Sequence, residues 1–244
     1  MEMAAVPYME LRNAKSTKRR QSGWYTAAEV GTHCTIADCW ISIQGIVYDL
    51  TSLLPKNPEF LNELIVRNAG KDVSHWFEPR SFLTDELQVV MYFHPVMRIN
   101  TFYTPLGRFT HIPPLDPRTD YAMDYEKPWW QDPAYIIGRL SYQTRLIRIK
   151  NVLLDHTYTM EVPCEESISE ILIRYADNNA HAMSYEWKAI LDFKSKAFSL
   201  LDMGQCLSDN GVINESKDFG EAGMELDFLI PVLHVHYTDD LTVA

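Results

Sequence analysis

The sequence predicts an α+β protein of two small domains, with a proline- and aromatic-rich strap between them. Three observations lead to this prediction. The chain has 244 residues, 46% of them apolar, which is enough for two buried cores. Strand-like alternation and short amphipathic helices occur in both halves. Between them, residues 98–143 contain six prolines together with Trp129 and Trp130, and such a segment forms neither a long helix nor a flexible linker.

The first domain is assigned to residues 23–97. Thr26 and Glu29 have capping-box spacing, which predicts a short helix that ends near His33. Residues 39–43 and 46–49 predict two strands separated by a turn. A second helix is predicted from apolar residues at helical spacing, Phe60, Leu64 and Ile65, and it ends near Gly70.

The second domain is assigned to residues 144–244. Residues 146–150 and 157–162 predict a hairpin, and the capping box Ser167 to Glu170 predicts a helix after it. That helix has one apolar face, formed by Ile168, Ile171, Leu172 and Tyr175. Strands at 187–191 and 232–237 complete the order ββαβ…β, with an acidic insertion at 214–227. This order resembles the β-grasp fold of ubiquitin-like proteins, which implies a docking module.

Three motifs in the first domain carry a second resemblance. They are WYTAAEV at 24–30, VYDLT at 47–51, and AGKD at 69–72 with Phe77 five residues after the aspartate. Together they resemble the framework of the cytochrome b5 family. The resemblance implies a fold whose helices line a haem crevice between two histidine ligands.

The iron ligands of that family are replaced in this chain. The family's His-Pro-Gly-Gly motif aligns with Asn57-Pro58-Glu59-Phe60, and a neutral amide oxygen binds haem iron poorly. The slot of the second ligand holds Phe82. We therefore expect no cofactor and a crevice filled by side chains, drawn from Leu53, Leu54, Phe60, Trp76, Phe77, Phe82 and Phe93. The alternative is haem b, with His94 as the leading iron ligand and His75 as the second choice.

Further blocks run in order to the end of the chain. They are VSHWF at 73–77, LGRF at 106–109, HIPP at 111–114, KPWW at 127–130, GRLS at 138–141 and DDLT at 239–242. They resemble a family of b5 domain proteins of motile cilia. This resemblance implies a place in the radial spoke of the axoneme, with other radial-spoke and axonemal proteins as partners.

Charge and composition exclude several classes of protein. Residues 145–244 hold eight Lys or Arg against 17 Asp or Glu, a net of −9. Such an acidic surface disfavours nucleic-acid binding, which requires neutralisation of phosphates. No apolar run approaches the roughly 20 residues of a membrane span, so we expect no membrane contact. Residues 1–22 are basic, and this arm either contacts microtubules or is a solvated, flexible extension.

The sequence contains no motif for a nucleophile–base pair and no nucleotide-binding loop, so we expect no enzymatic activity. Trp129 and Trp130 either anchor a partner or pack within the chain. The sequence thus predicts a structural, docking subunit of the radial spoke. The alternative is a haem-binding redox sensor or electron carrier that regulates ciliary beating.

Overall fold

The computed structural model describes residues 23–80, 86–115, 125–179, 181–191, 194, 196–225 and 229–237. The chain divides into two compact units, Met1–Leu140 and Ser141–Ala244, each with a five-stranded sheet. The expected basic arm at 1–22, Phe82 and the block at 239–242 lie outside the described residues. Within the described residues, no helix has the length and apolar character needed to cross a membrane.

The first unit is built around a mixed sheet. The described strands of this unit are β1 (Gly23–Tyr25), β2 (Cys34–Thr35), β3 (Asp38–Ile43), β4 (Ile46–Asp49), β5 (Met91–His94), β6 (Ile99–Phe102) and β7 (Ile136–Leu140). The sheet has the order β1-β7-β4-β3-β2, in which only the β1–β7 pair is parallel. Strands β5 and β6 form a separate hairpin.

Local signals in the sequence account for the helices of this unit. Helix α1 (Ala27–Thr32) begins with the predicted capping box, because Thr26 accepts from the Glu29 backbone at 3.1 Å and Glu29 accepts from the Thr26 backbone at 2.8 Å. Helix α2 (Glu59–Arg67) ends at Asn68, close to the predicted position, and buries its Leu61 and Ile65 face. Both predicted helices are therefore confirmed.

The first unit extends beyond the predicted boundary at residue 97. Strand β7, at the end of the expected strap, lies inside the sheet between β1 and β4. Gly138 pairs with Gly23, and a Cβ atom on Gly138 would lie 2.2 Å from the Gly23 carbonyl oxygen. The close approach of these two backbones requires glycine. The described parts of residues 98–140 are thus an integral part of the first unit, and the separate strap is a wrong prediction.

The predicted elements of the second unit occur in the predicted order, whereas a strand at Phe198–Leu200 and a helix at Ser216–Glu221 were not predicted. Its strands and helices are β8 (Thr144–Asn151), β9 (His156–Pro163), α3 (Ile168–Tyr175), β10 (Tyr185–Ile190), β11 (Phe198–Leu200), α4 (Ser216–Glu221) and β12 (Val232–Tyr237). The sheet order is β11-β10-β12-β8-β9, with β12 parallel to β8. Helix α3 has the predicted capping box at Ser167 and buries its predicted apolar face. The described part of the acidic insertion contains α4.

Candidate functional site

Asn57, in the place of the family's first iron ligand, is tied to its own backbone neighbourhood. It follows a 3₁₀ turn at Leu54–Lys56 and is half-buried. Its side-chain amide donates to the Leu53 carbonyl at 3.0 Å. The Asn57 carbonyl accepts from the Asn62 side chain at 3.2 Å. The geometry therefore makes Asn57 a local cap of this turn.

Asn62 fixes the same turn from helix α2. Its side chain is 4% exposed and donates to the Leu54 carbonyl at 2.7 Å. Its Oδ1 accepts from the Thr110 hydroxyl at 3.1 Å, and Thr110 is fully buried. Buried amides are stable only when hydrogen-bonded in this way. We call residues 54–57 the ligand-equivalent turn. The Asn62–Thr110 hydrogen bond connects this turn to the segment from Phe109 to Ile112.

Aromatic side chains fill the core next to this turn. Leu53 and Leu54, just before Asn57, belong to one buried cluster with the aromatic residues Trp76, Phe77, Phe109, Trp129 and Trp130. Trp76 stacks on Phe109 with ring centroids 5.0 Å apart. Trp129 meets Trp130 edge to face at 5.5 Å. We call these five aromatic residues the aromatic cluster.

Trp129 and Trp130 are 0% and 5% exposed, so the structure makes them core residues. The Trp129 indole donates to the Thr110 carbonyl at 3.1 Å, and the Tyr48 hydroxyl donates to the Trp130 carbonyl at 3.3 Å. The expectation that they anchor a partner is therefore wrong for the folded unit. The alternative prediction, that the two tryptophans pack within the chain, agrees with the structure.

His111 supports the aromatic cluster, and sequence reasoning did not single it out as functional. Its Nδ1 accepts from the Trp129 backbone N–H at 2.9 Å, which requires an unprotonated ring nitrogen. Burial lowers the pKa of His111 to about 4, against an opposing effect of Asp132. Its ring also stacks on Tyr125 at 3.9 Å. A single histidine in a proline-rich stretch carries no local signal for this role.

The two candidate haem ligands lie outside the aromatic cluster. His75 is exposed in a 3₁₀ turn at Ser74–Trp76. His94 ends β5, half-buried, and its Nδ1 accepts from the Met97 backbone at 3.2 Å. Among the described residues, no ring contact joins the two histidines. A haem iron held by two histidines needs one imidazole on each face of the porphyrin. The described residues therefore do not fit a haem held between two histidines, because His75 and His94 do not form a facing pair.

The expected filling of the crevice is only partly as predicted. Leu53, Leu54, Trp76 and Phe77 are buried. The other two described residues of the predicted set, Phe60 and Phe93, are 57% and 60% exposed. Phe109, Trp129 and Trp130, which are distant in sequence, take their place in the core.

The described part of the chain offers few other candidate sites for a ligand, a metal ion or a reactive thiol. An open cleft of about 200 Å³ beside α2 is lined by Phe60, Leu61, Glu63, Leu64, Arg67, Leu106, Gly107 and Arg108. It is smaller than the roughly 300–1,000 Å³ of typical ligand pockets. No group of three or more His, Cys, Asp or Glu is placed to hold a metal ion among the described residues. Burial raises the pKa of Cys39 to about 12, and Asp49 and Asp38 add to that effect, so its thiol is unreactive.

Comparison with known proteins gives a consistent family. Residues 26–140 match the model of the cytochrome b5-like heme/steroid binding domain. Cytochrome b5 domain-containing protein 1 of Xenopus laevis is 40% identical over 90% of this chain and 96% of its own length. The human protein of that name is 40% identical over 91% of this chain and 92% of its own length. L-lactate dehydrogenase (cytochrome) of Saccharomyces cerevisiae is 52% identical over 21% of this chain and 9% of its own length.

The long matches span both units of the structure, whereas the b5 domain model matches only the first. The b5 match also runs to residue 140, where the first unit ends. This chain therefore belongs to the cytochrome b5 domain-containing protein 1 family.

Proposed function

We propose that this protein is a structural, docking subunit of the radial spoke in the axoneme of motile cilia, and that it works without haem and without enzymatic activity. The observation that carries the proposal is the aromatic cluster beside the ligand-equivalent turn. Trp129 is fully buried there and makes ring contacts with Tyr48, Phe77, Phe109 and Trp130. On this proposal, a b5 framework that is stabilised by its own side chains serves as a scaffold for other proteins.

The second unit supports a docking role. Its sheet order, with β12 parallel to β8 between the hairpin and β10, supports assignment to the β-grasp fold of ubiquitin-like proteins. Residues 145–244 have a net charge of −9, which attracts basic partners over a long range. This attraction weakens as salt is added, because the Debye length falls from about 10 Å at 0.1 M to about 3 Å at 1 M.

The ciliary part of the proposal rests on the sequence blocks that follow residue 73, which resemble b5 domain proteins of motile cilia. On this proposal the partners are other axonemal proteins, with no nucleic acid and no membrane. The competing function is a redox sensor or electron carrier with haem b on His94 or His75. The match to a heme/steroid binding domain family favours this competing function, whereas the positions of His75 and His94 outside the aromatic cluster oppose it.

The proposal is tested by placing the tagged full chain in motile ciliated cells and isolating the axonemes. We expect the protein in the demembranated axoneme, and after salt extraction in the same fraction as the radial spokes. A protein that stays in the detergent-soluble fraction would contradict the docking role. A protein that is found on axonemes lacking radial spokes would contradict the assignment to the spoke.

A further inference from the structure

The hairpin β5–β6 is a separate two-stranded sheet in the first unit. Four residue pairs form its ladder, from Met91 with Phe102 to His94 with Ile99. The turn is closed by the Arg98 N–H, which donates to the His94 carbonyl at 2.8 Å, with Arg98 at a positive φ of 55°. A two-stranded sheet is only marginally stable by itself in water. This hairpin therefore gains stability from any strand added to it.

Six large apolar side chains of the hairpin are exposed: Met91 (46%), Tyr92 (37%), Phe93 (60%), Val96 (83%), Met97 (40%) and Ile99 (49%). Met91 and Phe93 point to one face of the hairpin and Tyr92 to the other, because successive residues of a strand alternate. We call these six side chains the hairpin patch; so many exposed apolar side chains in one short hairpin are typical of a binding surface. The patch lies outside the aromatic cluster and plays no part in the core of the first unit.

The backbone of β5 has a free edge. The Tyr103 N–H donates to the Val90 carbonyl at 2.7 Å, which sets the alternation of the antiparallel ladder. By that alternation Tyr92 bonds across to β6, while the N–H and C=O groups of Met91 and Phe93 point away from it. Among the described residues, no backbone group bonds to the outward groups of these two residues. Two donors and two acceptors are thus available to an incoming strand.

Nothing along β5 itself discourages pairing. Exposed edge strands are usually protected by lysine, proline or a bulge, and β5 has none of these. The only formal charge between residues 91 and 102 is Arg98, beside the turn. A partner strand with a carboxylate at that end is therefore complementary in charge.

The area of the patch selects the kind of partner. With 150–250 Å² for a whole aromatic side chain, the six exposed side chains offer on the order of 500 Å². A stable interface between two globular proteins buries about 800 Å² on each side. The hairpin is therefore too small for a lasting dimer of this chain, whereas an added strand gains main-chain hydrogen bonds from a small area.

We propose that the outer edge of β5 binds an extended strand of a partner protein, with apolar side chains at alternate positions and an acidic end beside Arg98. The inference deepens the docking function proposed above, but it does not depend on the ciliary location. The incoming strand bonds to the backbone of Met91 and Phe93, and its apolar side chains pack beside theirs.

The test uses the purified full chain and a synthetic ten-residue peptide that alternates valine and threonine and ends in two glutamates. We expect saturable binding, measured by amide shifts in NMR spectra of the ¹⁵N-labelled protein, with Met91 and Phe93 among the shifted amides. The same peptide with N-methyl groups on alternate residues keeps the side chains but loses the donors, and we expect it to bind at least tenfold more weakly.

Two variants at one position separate strand pairing from apolar contact. Phe93→Pro removes an outward N–H, which an edge strand tolerates, and we expect it to weaken binding at least tenfold. Phe93→Ala loses the same ring but keeps the N–H, and we expect it to weaken binding only about threefold. Absence of peptide binding, or equal effects of the two variants, would overturn the proposal.

Self-association is the competing outcome, and sedimentation of the protein without peptide decides it. We expect a monomer at all concentrations. A dimer that forms with increasing concentration and is lost in Phe93→Pro would replace the partner strand by a second copy of the chain. Because these measurements use purified protein, failure to find the protein on axonemes would leave their outcome unaffected.

Discussion

Replacement of Trp129 by alanine tests the aromatic cluster directly. Trp129 is fully buried, and its ring contacts four other aromatic rings at centroid distances of 5.5 to 6.1 Å. Truncation of a buried tryptophan to alanine costs about 3–5 kcal/mol. The variant also leaves the buried Thr110 carbonyl without the indole donor, which costs a further ~1 kcal/mol. We therefore expect a loss near the upper end, about 5 kcal/mol.

The loss is measured by urea unfolding followed by tryptophan fluorescence, which reports the first unit because five of the six tryptophans lie at or before residue 130. With a slope of about 2 kcal/mol per molar urea, the midpoint should fall by about 2.5 M. Phe93→Ala is the matched control, since its ring is 60% exposed, and we expect less than about 1 kcal/mol. A loss below about 1 kcal/mol for Trp129→Ala at an unchanged slope would refute the assignment of this residue to the core.

Three further substitutions test other parts of the structure. Gly138→Ala places a Cβ atom 2.2 Å from a backbone oxygen of β1, so we expect the free energy of unfolding in urea to fall by at least ~2 kcal/mol. Gly204→Ala is the control and should be nearly neutral, because the nearest atom to its Cβ would lie at 3.5 Å. His111 has a pKa of about 4 when folded and an ordinary value of 6.5, so the unfolded chain binds the proton first and stability falls as the pH drops from about 6.5 to 4. His111→Asn keeps an acceptor at this positive-φ position, and its melting temperature should depend less on pH in that window. Arg174→Met removes the guanidinium whose Nε donates to the Glu166 carboxylate, 5% exposed, at 2.7 Å, and hydrogen exchange of α3 should report a loss of about 3–5 kcal/mol, smaller when Glu166→Gln is added.

Local signals made the helices predictable. A capping box involves residues three positions apart, so Thr26 with Glu29 and Ser167 with Glu170 identify the starts of α1 and α3 without any tertiary information. The apolar face of α3 follows from a spacing of three and four residues. The hairpin, the helix and the closing strand of the second unit were predictable from such local patterns, whereas β11 and α4 were not.

Long-range contacts were not predictable from one sequence. Strand β7 pairs with β1 and β4, roughly a hundred residues earlier in the chain, and its proline-rich surroundings suggested a strap. Trp129 and Trp130 have the composition of an interface anchor, and composition cannot separate an anchor from a core residue. Burial decides between the two, and it depends on where Phe77 and Phe109 lie in space.

The loss of the iron ligand was visible in the sequence at Asn57, but its replacement was not. The sequence suggested that Phe60 and Phe93 help to fill the crevice, because they are apolar and near in sequence. In the structure both are exposed, since Phe60 lies on the outer face of α2 and Phe93 on the β5–β6 hairpin. The exposure of Phe93 is one of the observations behind the partner strand proposed above.

Titration of the purified full chain with hemin tests the central claim most directly. The proposed function requires that the first unit folds without cofactor, with its crevice filled by the aromatic cluster. We therefore expect a cooperative unfolding transition in haem-free protein, and no saturable Soret band at one hemin per chain. A stoichiometric Soret band with a low-spin spectrum, lost in His94→Ala or His75→Ala, would contradict the account and establish the redox alternative.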